Sequence, residues 1–287
     1  MTRKLEVFPG QLEIDYAPEH ISSSQRSWLD CRRYWALSSV QRLRPRDMAM
    51  EAKLEFGTAL HTILGSWYAT PPKERVGSAL AHLAEITVQN SNWPNWMIEM
   101  LEPKLMQAVG RFNAKFGTDN IEMEGVEYQL SAKLPGSSRE YLGFVDWYYW
   151  DNDVLIVEDL KTSQTSIDPS RYTLFNPKAD DYLWAVKQMI PKLFKDKKQR
   201  EAEVVFSYLF LTPDRAWRVR VPRHDFSHAG EELAQIAREQ DTLPIVPNYG
   251  YACGRCRYQS LCTAFLTGRP VRDIISADFV SGRDQEE

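Results

Sequence analysis

The 287-residue sequence lacks any run of about 18 apolar residues that could span a bilayer. Its first residues, MTRKLEVFPGQLEIDY, also lack the apolar core of a signal peptide, so we expect a cytoplasmic protein. Internal repeats and low-complexity linkers are absent as well. Because 43% of the residues are apolar and 12% are aromatic, the chain can fill a sizeable core. These features predict a soluble globular protein.

The formal net charge of −4 argues against a protein that coats nucleic acid indiscriminately. Basic residues nonetheless form two clusters, which could hold a phosphate backbone or be ordinary solvated surface. The first contains Arg26, Arg32, Arg33, Arg42, Arg44 and Arg46, and the second, which we interpret as an exposed helix end, contains Lys192, Lys195, Lys197, Lys198 and Arg200. No GxxxxGK[ST] motif occurs, so any DNA unwinding is expected to come from a partner.

Only four cysteines are present. Cys31 stands alone, whereas Cys253, Cys256 and Cys262 occur together in CGRCRYQSLC. Without an export signal, disulfides are disfavoured, and one metal site would account for all four thiolates. A [4Fe-4S] cluster and a structural Zn²⁺ ion both accept four thiolates. The solitary first cysteine and the long final gap differ from paired CxxC zinc knuckles, so we favour the cluster, which would tie distant segments together.

Hydrophobic periodicity and turn residues predict an α/β protein in which helices flank one central mixed sheet. We expect a single domain with a mainly helical region at 1–120, a sheet core at 121–222 and a cysteine-containing segment at 223–287. Predicted helices cover 22–41, 48–68, 74–89, 96–116, 179–194 and 225–239. Predicted strands cover 125–134, 141–150, 154–161, 202–211 and 216–221.

The stretch GFVDWYYWDNDVLIVEDLK, residues 143–161, predicts a hairpin that turns at DND. Since side chains two apart on a strand point the same way, Asp159 and Lys161 share one face, while Glu158 points to the other. Asp146 lies on the partner strand. Two carboxylates and a lysine suit metal-assisted phosphodiester hydrolysis, because carboxylates hold hard cations and the lysine can orient water and offset phosphate charge. An exposed hairpin with solvated charges is the alternative interpretation.

The second predicted helix contains FGTALH and so carries His61. A single histidine on an apolar helix can be an ordinary core residue. Gly57, one turn earlier, favours a role in a site because it allows the helix backbone to approach the sheet closely. Neutral imidazole is also a good ligand for Mn²⁺ or Fe²⁺ and a tolerable one for Mg²⁺.

Four separated segments together resemble the RecB-like branch of the PD-(D/E)XK nuclease superfamily. The resemblance is strongest to its iron–sulfur members, the AddB-type helicase-nucleases and the CRISPR-associated adaptation exonucleases. The segments are ISSSQRSWLDCRRYW, FGTALH, GFVD with VEDLK, and CGRCRYQSLC. They follow the order of the family and extend from residue 21 to residue 262.

The resemblance implies a function and a set of site residues. The chain would be a metal-dependent DNA exonuclease acting on single-stranded ends, with a helicase, recombination or CRISPR adaptation partner. Asp146, Asp159 and Lys161 would be catalytic, and a lysine-assisted water would attack the phosphodiester at a Mg²⁺ or Mn²⁺ ion. The ion would be held by His61, Asp146, Asp159 and the backbone carbonyl of Leu160, and the [4Fe-4S] cluster, or Zn²⁺ as the alternative, by Cys31, Cys253, Cys256 and Cys262.

The sequence departs from the family at two places. Where relatives have a QxxxY helix, this chain reads ADDYLWAVKQM, so Tyr182 is a candidate supporting residue without a clear match. Arg32 stands where many relatives have proline after the first cysteine. Glu127 is a further candidate, either as a group supporting His61 or Lys161 or as an exposed strand carboxylate.

Two other hypotheses remain open. The chain could be a nuclease-derived module that binds DNA ends or a partner protein and cuts poorly. The acidic pI of about 5.8 and the departure from QxxxY favour this hypothesis. It could also be a zinc-stapled protein without a nucleic-acid role, in which case the hairpin pattern would be coincidental.

Overall fold

A computed structural model describes residues 3–16, 20–173, 177–221 and 225–281. Contacts divide the chain into two compact units. The first unit comprises Met1–Met48, Lys133–Leu142 and Gly230–Glu287, and the second comprises Ala49–Ala132 and Gly143–Ala229. The predicted α/β class, with helices flanking a mixed sheet, is confirmed. The predicted subdivision of a single domain stays a prediction, and its boundary at residue 222 lies outside the described residues.

The second unit is built around a mixed sheet. Its strands are β5 (Met123–Lys133), β6 (Glu140–Asp151), β7 (Val154–Thr162), β8 (Glu203–Leu211) and β9 (Ala216–Val221). β5 pairs with β6, β6 with β7 and β8 with β9, and β7 and β8 run parallel. The parallel pair requires a crossover, which helical segments between residues 170 and 200 supply.

Helices accompany this sheet, and the four longer ones bury apolar residues. They are α3 (Met48–Ala69), α4 (Gly77–Gln89), α5 (Asn95–Phe116), α6 (Ser170–Thr173), α7 (Lys178–Leu193) and α8 (Lys197–Arg200), with a 3₁₀ turn at Pro72–Glu74. α3 buries Phe56, Leu60 and Leu64, which belong to the same core as Trp147 and Leu160 of the sheet. Residues spaced by three and four on α3 therefore fix the face that it presents to the strands.

The first unit holds shorter elements. The chain begins with an antiparallel hairpin, β1 (Arg3–Phe8) and β2 (Leu12–Tyr16), where the sequence predicted only an extended start. β3 (His20–Ile21) pairs with the first residues of β6, and β4 (Leu43–Pro45) pairs with β10 (Phe279–Ser281). The helices are α1 (Ser27–Asp30), α2 (Arg32–Trp35), α9 (Ala229–Thr242), α10 (Gln259–Leu266) and α11 (Val271–Asp278), with 3₁₀ turns at Ser23–Arg26 and Tyr251–Arg255 and a π turn at Ala36–Val40.

The predicted continuous helix over residues 22–41 is wrong. The stretch consists of a 3₁₀ turn, two four-residue helices and a π turn, and it is interrupted at one residue. Cys31 is extended, with φ −161° and ψ 114°, between α1 and α2. The local hydrogen bonds nevertheless continue, because the Cys31 N–H donates to Ser27 and its carbonyl accepts from Trp35. The chain therefore follows a helical course before and after Cys31, and only this residue departs from it.

The remaining predicted elements are confirmed to within a few residues at each end. α3 ends one residue later than predicted, just before the Pro71–Pro72 pair. Among the described helices, none is long and apolar enough to cross a membrane.

Candidate active site

The β6–β7 hairpin places the two aspartates of the predicted site on adjacent strands. Asp151 pairs with Val154 across the turn, and Asn152 adopts a left-handed conformation with φ 56°, which asparagine tolerates in tight turns. Further along, one carboxylate oxygen of Asp146 accepts the backbone N–H of Leu160 at 2.5 Å. This bond fixes the buried Asp146 carboxylate beside the strand that carries Asp159.

α3 brings His61 to Asp146. Nδ1 of the imidazole lies 3.2 Å from the second carboxylate oxygen of Asp146, and about a third of the His61 side chain is exposed. Burial lowers the pKa of His61, but the hydrogen bond and charge of Asp146 outweigh this effect and raise it. A Cβ atom on Gly57 would lie 3.2 Å from Oγ1 of Thr162 on β7. The glycine therefore permits the close approach of α3 to the sheet that places His61 at the site.

Glu127 joins the same group from β5. Its carboxylate, the His61 imidazole and the Asp146 carboxylate offer ligand atoms within 4.8 Å of one another. Glu127 has φ 48°, a left-handed conformation that is uncommon for a non-glycine residue. Burial and the negative charge of Asp146 raise the pKa of Glu127. One imidazole and two carboxylates are a suitable ligand set for Mn²⁺ and a tolerable one for Mg²⁺.

Asp159 is not in that group, and its carboxylate is instead held by two lysines. Lys161 contacts Oδ2 of Asp159, and Nζ of Lys178 lies 2.7 Å from Oδ1. Burial would raise the pKa of Asp159, but the two ammonium groups lower it to about 2. Asp159 is therefore ionised throughout the neutral range. Asp159 nevertheless lies near the histidine, since its charge is among those that raise the pKa of His61.

Lys178 is the residue that sequence reasoning missed. It begins α7 and precedes Tyr182 by four residues, which is the spacing of QxxxY with lysine in place of glutamine. The helix predicted from the sequence begins one residue later, at Ala179, and so does not include Lys178. Tyr182 lies beside Lys178, with its ring 4.9 Å from Nζ, and its hydroxyl donates to the Phe144 carbonyl at 2.6 Å.

Glu158 points away from the site, as the strand period predicts. Its carboxylate is fully buried and accepts hydrogen bonds from Trp147 Nε1 at 2.8 Å, Ser207 Oγ at 3.0 Å and Arg218 Nε at 3.1 Å. This residue is part of the core and takes no part in the candidate site.

An open groove of about 850 Å³ runs along α3, with His61 and Glu127 in its wall. The helix contributes only small side chains to it beside the histidine. They are Gly57, Thr58, Thr62, Gly65, Ser66 and Ala69. Small side chains at helical spacing leave room for an extended chain to lie against the helix.

In the first unit, all four cysteines line one cavity of about 150 Å³. Backbone N–H groups donate to two of the sulfurs, Gly250 to Cys253 and Tyr258 to Cys256, each at 3.4 Å. Among the described residues, no three cysteine sulfurs lie within 4.8 Å of one another. A single tetrahedral Zn²⁺ ion with Zn–S bonds of about 2.3 Å would require sulfur separations of about 3.8 Å.

Three arginines of the first basic cluster have structural roles. Arg26 pairs with Glu232 at 2.8 Å and Arg32 with Glu239 at 3.8 Å. Arg33 is buried, donates to the Val7 carbonyl and also to Cys262 Sγ at 3.7 Å. These three residues are therefore not a free phosphate-binding track. The lysines at 195, 197 and 198 are exposed, in agreement with the predicted solvated helix end.

Comparisons with known proteins identify the family of the chain. A mixed sheet that presents a histidine, carboxylates and a lysine at one site is the arrangement of a metal-dependent nuclease. The family model of the PD-(D/E)XK nuclease superfamily matches residues 22–263, and the chain belongs to that superfamily. The crystal structure of SSO0001 is similar at 19% identity over 76% of this chain and 98% of that chain, with a TM-score of 0.35. No curated protein matches the chain.

Proposed function

We propose that the protein is a metal-dependent deoxyribonuclease, an exonuclease that hydrolyses phosphodiester bonds at single-stranded DNA ends. The observation that carries the proposal is the meeting of His61, Glu127 and Asp146 within 4.8 Å, with His61 and Glu127 in the wall of an open groove. Superfamily membership supports nuclease chemistry with a divalent metal. The exonuclease and single-strand assignments rest on the resemblance.

His61, Glu127 and Asp146 would hold Mg²⁺ or Mn²⁺, with the Leu160 carbonyl and Asp159 as the further ligands that the resemblance implies. The bound cation would supply charge that stabilises the phosphoryl oxygens in the transition state. The N–H of Leu160 donates to Asp146, so the residue that carries this carbonyl lies beside the Asp146 carboxylate. Asp159 holds Lys161, whose ammonium donates to the phosphate or orients the attacking water.

The test is a titration of Mg²⁺ and Mn²⁺ against end-labelled single-stranded and duplex DNA, with circular single-stranded DNA as the control for free ends. We expect metal-dependent shortening of the linear single strand and no loss of the circle. Cleavage of the circle would contradict the exonuclease assignment. DNA binding without cleavage under either metal would contradict the enzyme and leave a module that grips DNA ends or a partner protein.

The four cysteines form a second site for which we propose a [4Fe-4S] cluster, with Zn²⁺ as the alternative occupant. All four thiols line one cavity, as one shared metal site requires. Backbone N–H groups and Arg33 already direct hydrogen bonds to the sulfurs, as is typical of cluster ligands. The cluster would connect Cys31 to the C-terminal cysteines and so restrain the unfolded chain.

Replacing Cys256 with serine is expected to reduce the iron content of anaerobically purified protein from about four atoms per chain to well below one. The melting temperature should fall with it, since metal binding contributes to folding. Metal analysis and thermal unfolding measure both effects, and Thr263→Ser in the same cavity should change neither. Stoichiometric zinc without iron in the wild type would overturn the cluster, and protein free of both metals would overturn the metal site.

A further inference from the structure

Arg33 is a buried cation without a carboxylate partner. It is only 3% exposed, and among the described residues it forms no ion pair with an aspartate or a glutamate. Its guanidinium donates to the Val7 carbonyl at 2.9 Å and to the Tyr249 hydroxyl at 3.1 Å, both of which are neutral groups. An ionised group that is removed from water is strongly destabilising unless an opposite charge compensates it. The countercharge of Arg33 therefore has to come from another group.

The same guanidinium reaches the cavity of the four cysteines. Its Nη1 lies 3.7 Å from Sγ of Cys262, and Arg33 is among the residues that line the cavity. Two aromatic rings contact the guanidinium, since its Cζ lies 4.4 Å from the ring centre of Phe8 and 5.3 Å from that of Phe265. The rings position the guanidinium but supply no net charge. Cys262 is thus a contact of Arg33 that becomes an anion when a metal binds, because metals bind the thiolate.

A metal site at these cysteines would have the charge that Arg33 lacks as a partner. Four thiolates carry four negative charges, and a [4Fe-4S] core or a zinc ion with two positive charges compensates only half of them. We propose that Arg33 is the countercharge of this metal–thiolate group, which slows the loss of the metal and favours the reduction of a cluster. The proposal rests on the proposed cysteine site and adds to it a residue that is not a ligand.

A positive charge in contact with a ligand sulfur has two measurable consequences. It stabilises the thiolate over the thiol, so the metal leaves more slowly. It also favours one-electron reduction of a cluster, because the added electron raises the net negative charge of the group from two to three. Because Arg33 is buried, water and salt screen its charge less than they screen the charge of a surface arginine.

A role in packing alone predicts a different pattern. Arg33 also fastens strand β1 through the Val7 carbonyl and lies against the ring of Phe8. If these contacts were its whole contribution, its replacement would lower the stability of the protein with or without metal. The metal bound to folded variants would then be held as in the wild type. Lysine would be no better than glutamine as a replacement, since neither has the planar fork of the guanidinium.

The test compares Arg33→Gln, which keeps an N–H donor but loses the charge, with Arg33→Lys, which keeps the charge. Arg269→Met removes an exposed arginine from the same unit and is the control. Metal loss from anaerobically purified protein to a strong chelator is timed, and iron-loaded protein is titrated with a reductant under electron paramagnetic resonance. For Arg33→Gln we expect metal loss to be about tenfold faster. We expect the equilibrium constant for one-electron reduction to fall about tenfold, equivalent to about 59 mV.

Arg33→Lys should recover most of both effects, and Arg269→Met should match the wild type. Metal retention and reduction of Arg33→Gln equal to those of the wild type would overturn the proposal. Equal losses in Arg33→Gln and Arg33→Lys, including failure of both to fold, would also overturn it, because lysine keeps the charge. Failure of Arg33→Gln alone to fold would support it for the same reason.

The metal content of the wild type separates this proposal from the one on which it rests. With zinc in place of iron, the rate of metal loss alone decides the role of Arg33. A wild type that holds neither iron nor zinc would contradict the proposed cysteine site and, with it, this inference. That outcome is known before any variant is compared, whereas unchanged variants of a metal-loaded protein would contradict the role of Arg33 alone.

Discussion

Replacing Asp146 with asparagine is expected to abolish Mn²⁺ binding and to slow DNA cleavage by about a thousandfold. The substitution keeps the shape of the side chain but removes the charge at the centre of the ligand group. Loss of a group that merely supports a ligand costs about 10- to 100-fold in metal affinity, so loss of a ligand should cost more. Loss of one stabilising interaction with the transition state costs about 10²- to 10³-fold in rate. Isothermal titration with Mn²⁺ and single-turnover cleavage measure the two effects.

Asp153→Asn is the matched control, because it makes the same change on the same hairpin. The Asp153 side chain is 76% exposed and pairs with Lys198 at the surface. It should bind Mn²⁺ and cleave DNA as the wild type does. The ligand set that the resemblance implies lacks Glu127, whereas the group seen in the structure contains it. Glu127→Gln should therefore weaken Mn²⁺ binding if the group seen in the structure holds the ion. An Asp146→Asn protein that binds Mn²⁺ normally would exclude the proposed cation site.

Local sequence signals were sufficient for the elements that present most of the site. The DND turn and the alternating residues on either side predicted the β6–β7 hairpin, and the structure places Asp159 and Lys161 in contact on one face. α3 was predicted from its apolar spacing and from the prolines that follow it. In both cases the residues that decide the conformation lie within the element itself, and so are visible in the sequence.

Long-range contacts account for what the sequence did not reveal. Cys31 is extended in the middle of a stretch with helical periodicity, and it lines a cavity together with cysteines more than two hundred residues away. Glu127 reaches the ligand group through a left-handed backbone conformation that no property of glutamate predicts. The side-chain direction of one residue can thus depend on packing that local propensity does not encode.

Lys178 was not predicted from the sequence for a different reason. Its spacing from Tyr182 was present in the sequence, but a lysine in place of glutamine changes the charge, and only its position 2.7 Å from Asp159 gives the substitution a meaning. The role of Asp159 as a cation ligand stays a prediction, and its carboxylate contacts the ammonium groups of Lys161 and Lys178.

Replacing Arg218 with methionine is expected to destabilise the protein by about 3–5 kcal/mol, the largest stability effect that we anticipate. The Arg218 guanidinium donates to Glu158, to Asp119 at 2.6 Å and to the Tyr68 hydroxyl at 2.5 Å. Glu158 is fully buried, and Arg218 is the one cation that pairs with it among the described residues, so removal of Arg218 leaves a buried carboxylate without that countercharge. Chemical unfolding monitored by circular dichroism measures the loss.

Arg220→Met is the matched control on the same strand. Its guanidinium pairs with Asp151 at the surface, with 55% of the side chain exposed, and such pairs contribute about 0–1 kcal/mol. Combining Arg218→Met with Glu158→Leu should recover part of the stability, because the buried charge is then removed together with its partner. Equal losses for Arg218→Met and Arg220→Met would show that the buried pair does not stabilise the fold.

The same variants also test the separation of the two faces of β7. Glu158 and Arg218 lie on the face opposite Asp159, and neither contacts the candidate ligand group. Folded Arg218→Met protein should therefore keep the Mn²⁺ affinity of the wild type even though its unfolding midpoint is lowered. A parallel fall in Mn²⁺ affinity would mean that the position of β7 at the site depends on the pair of Glu158 and Arg218 on its other face. Glu158 would then contribute to the site through the strand.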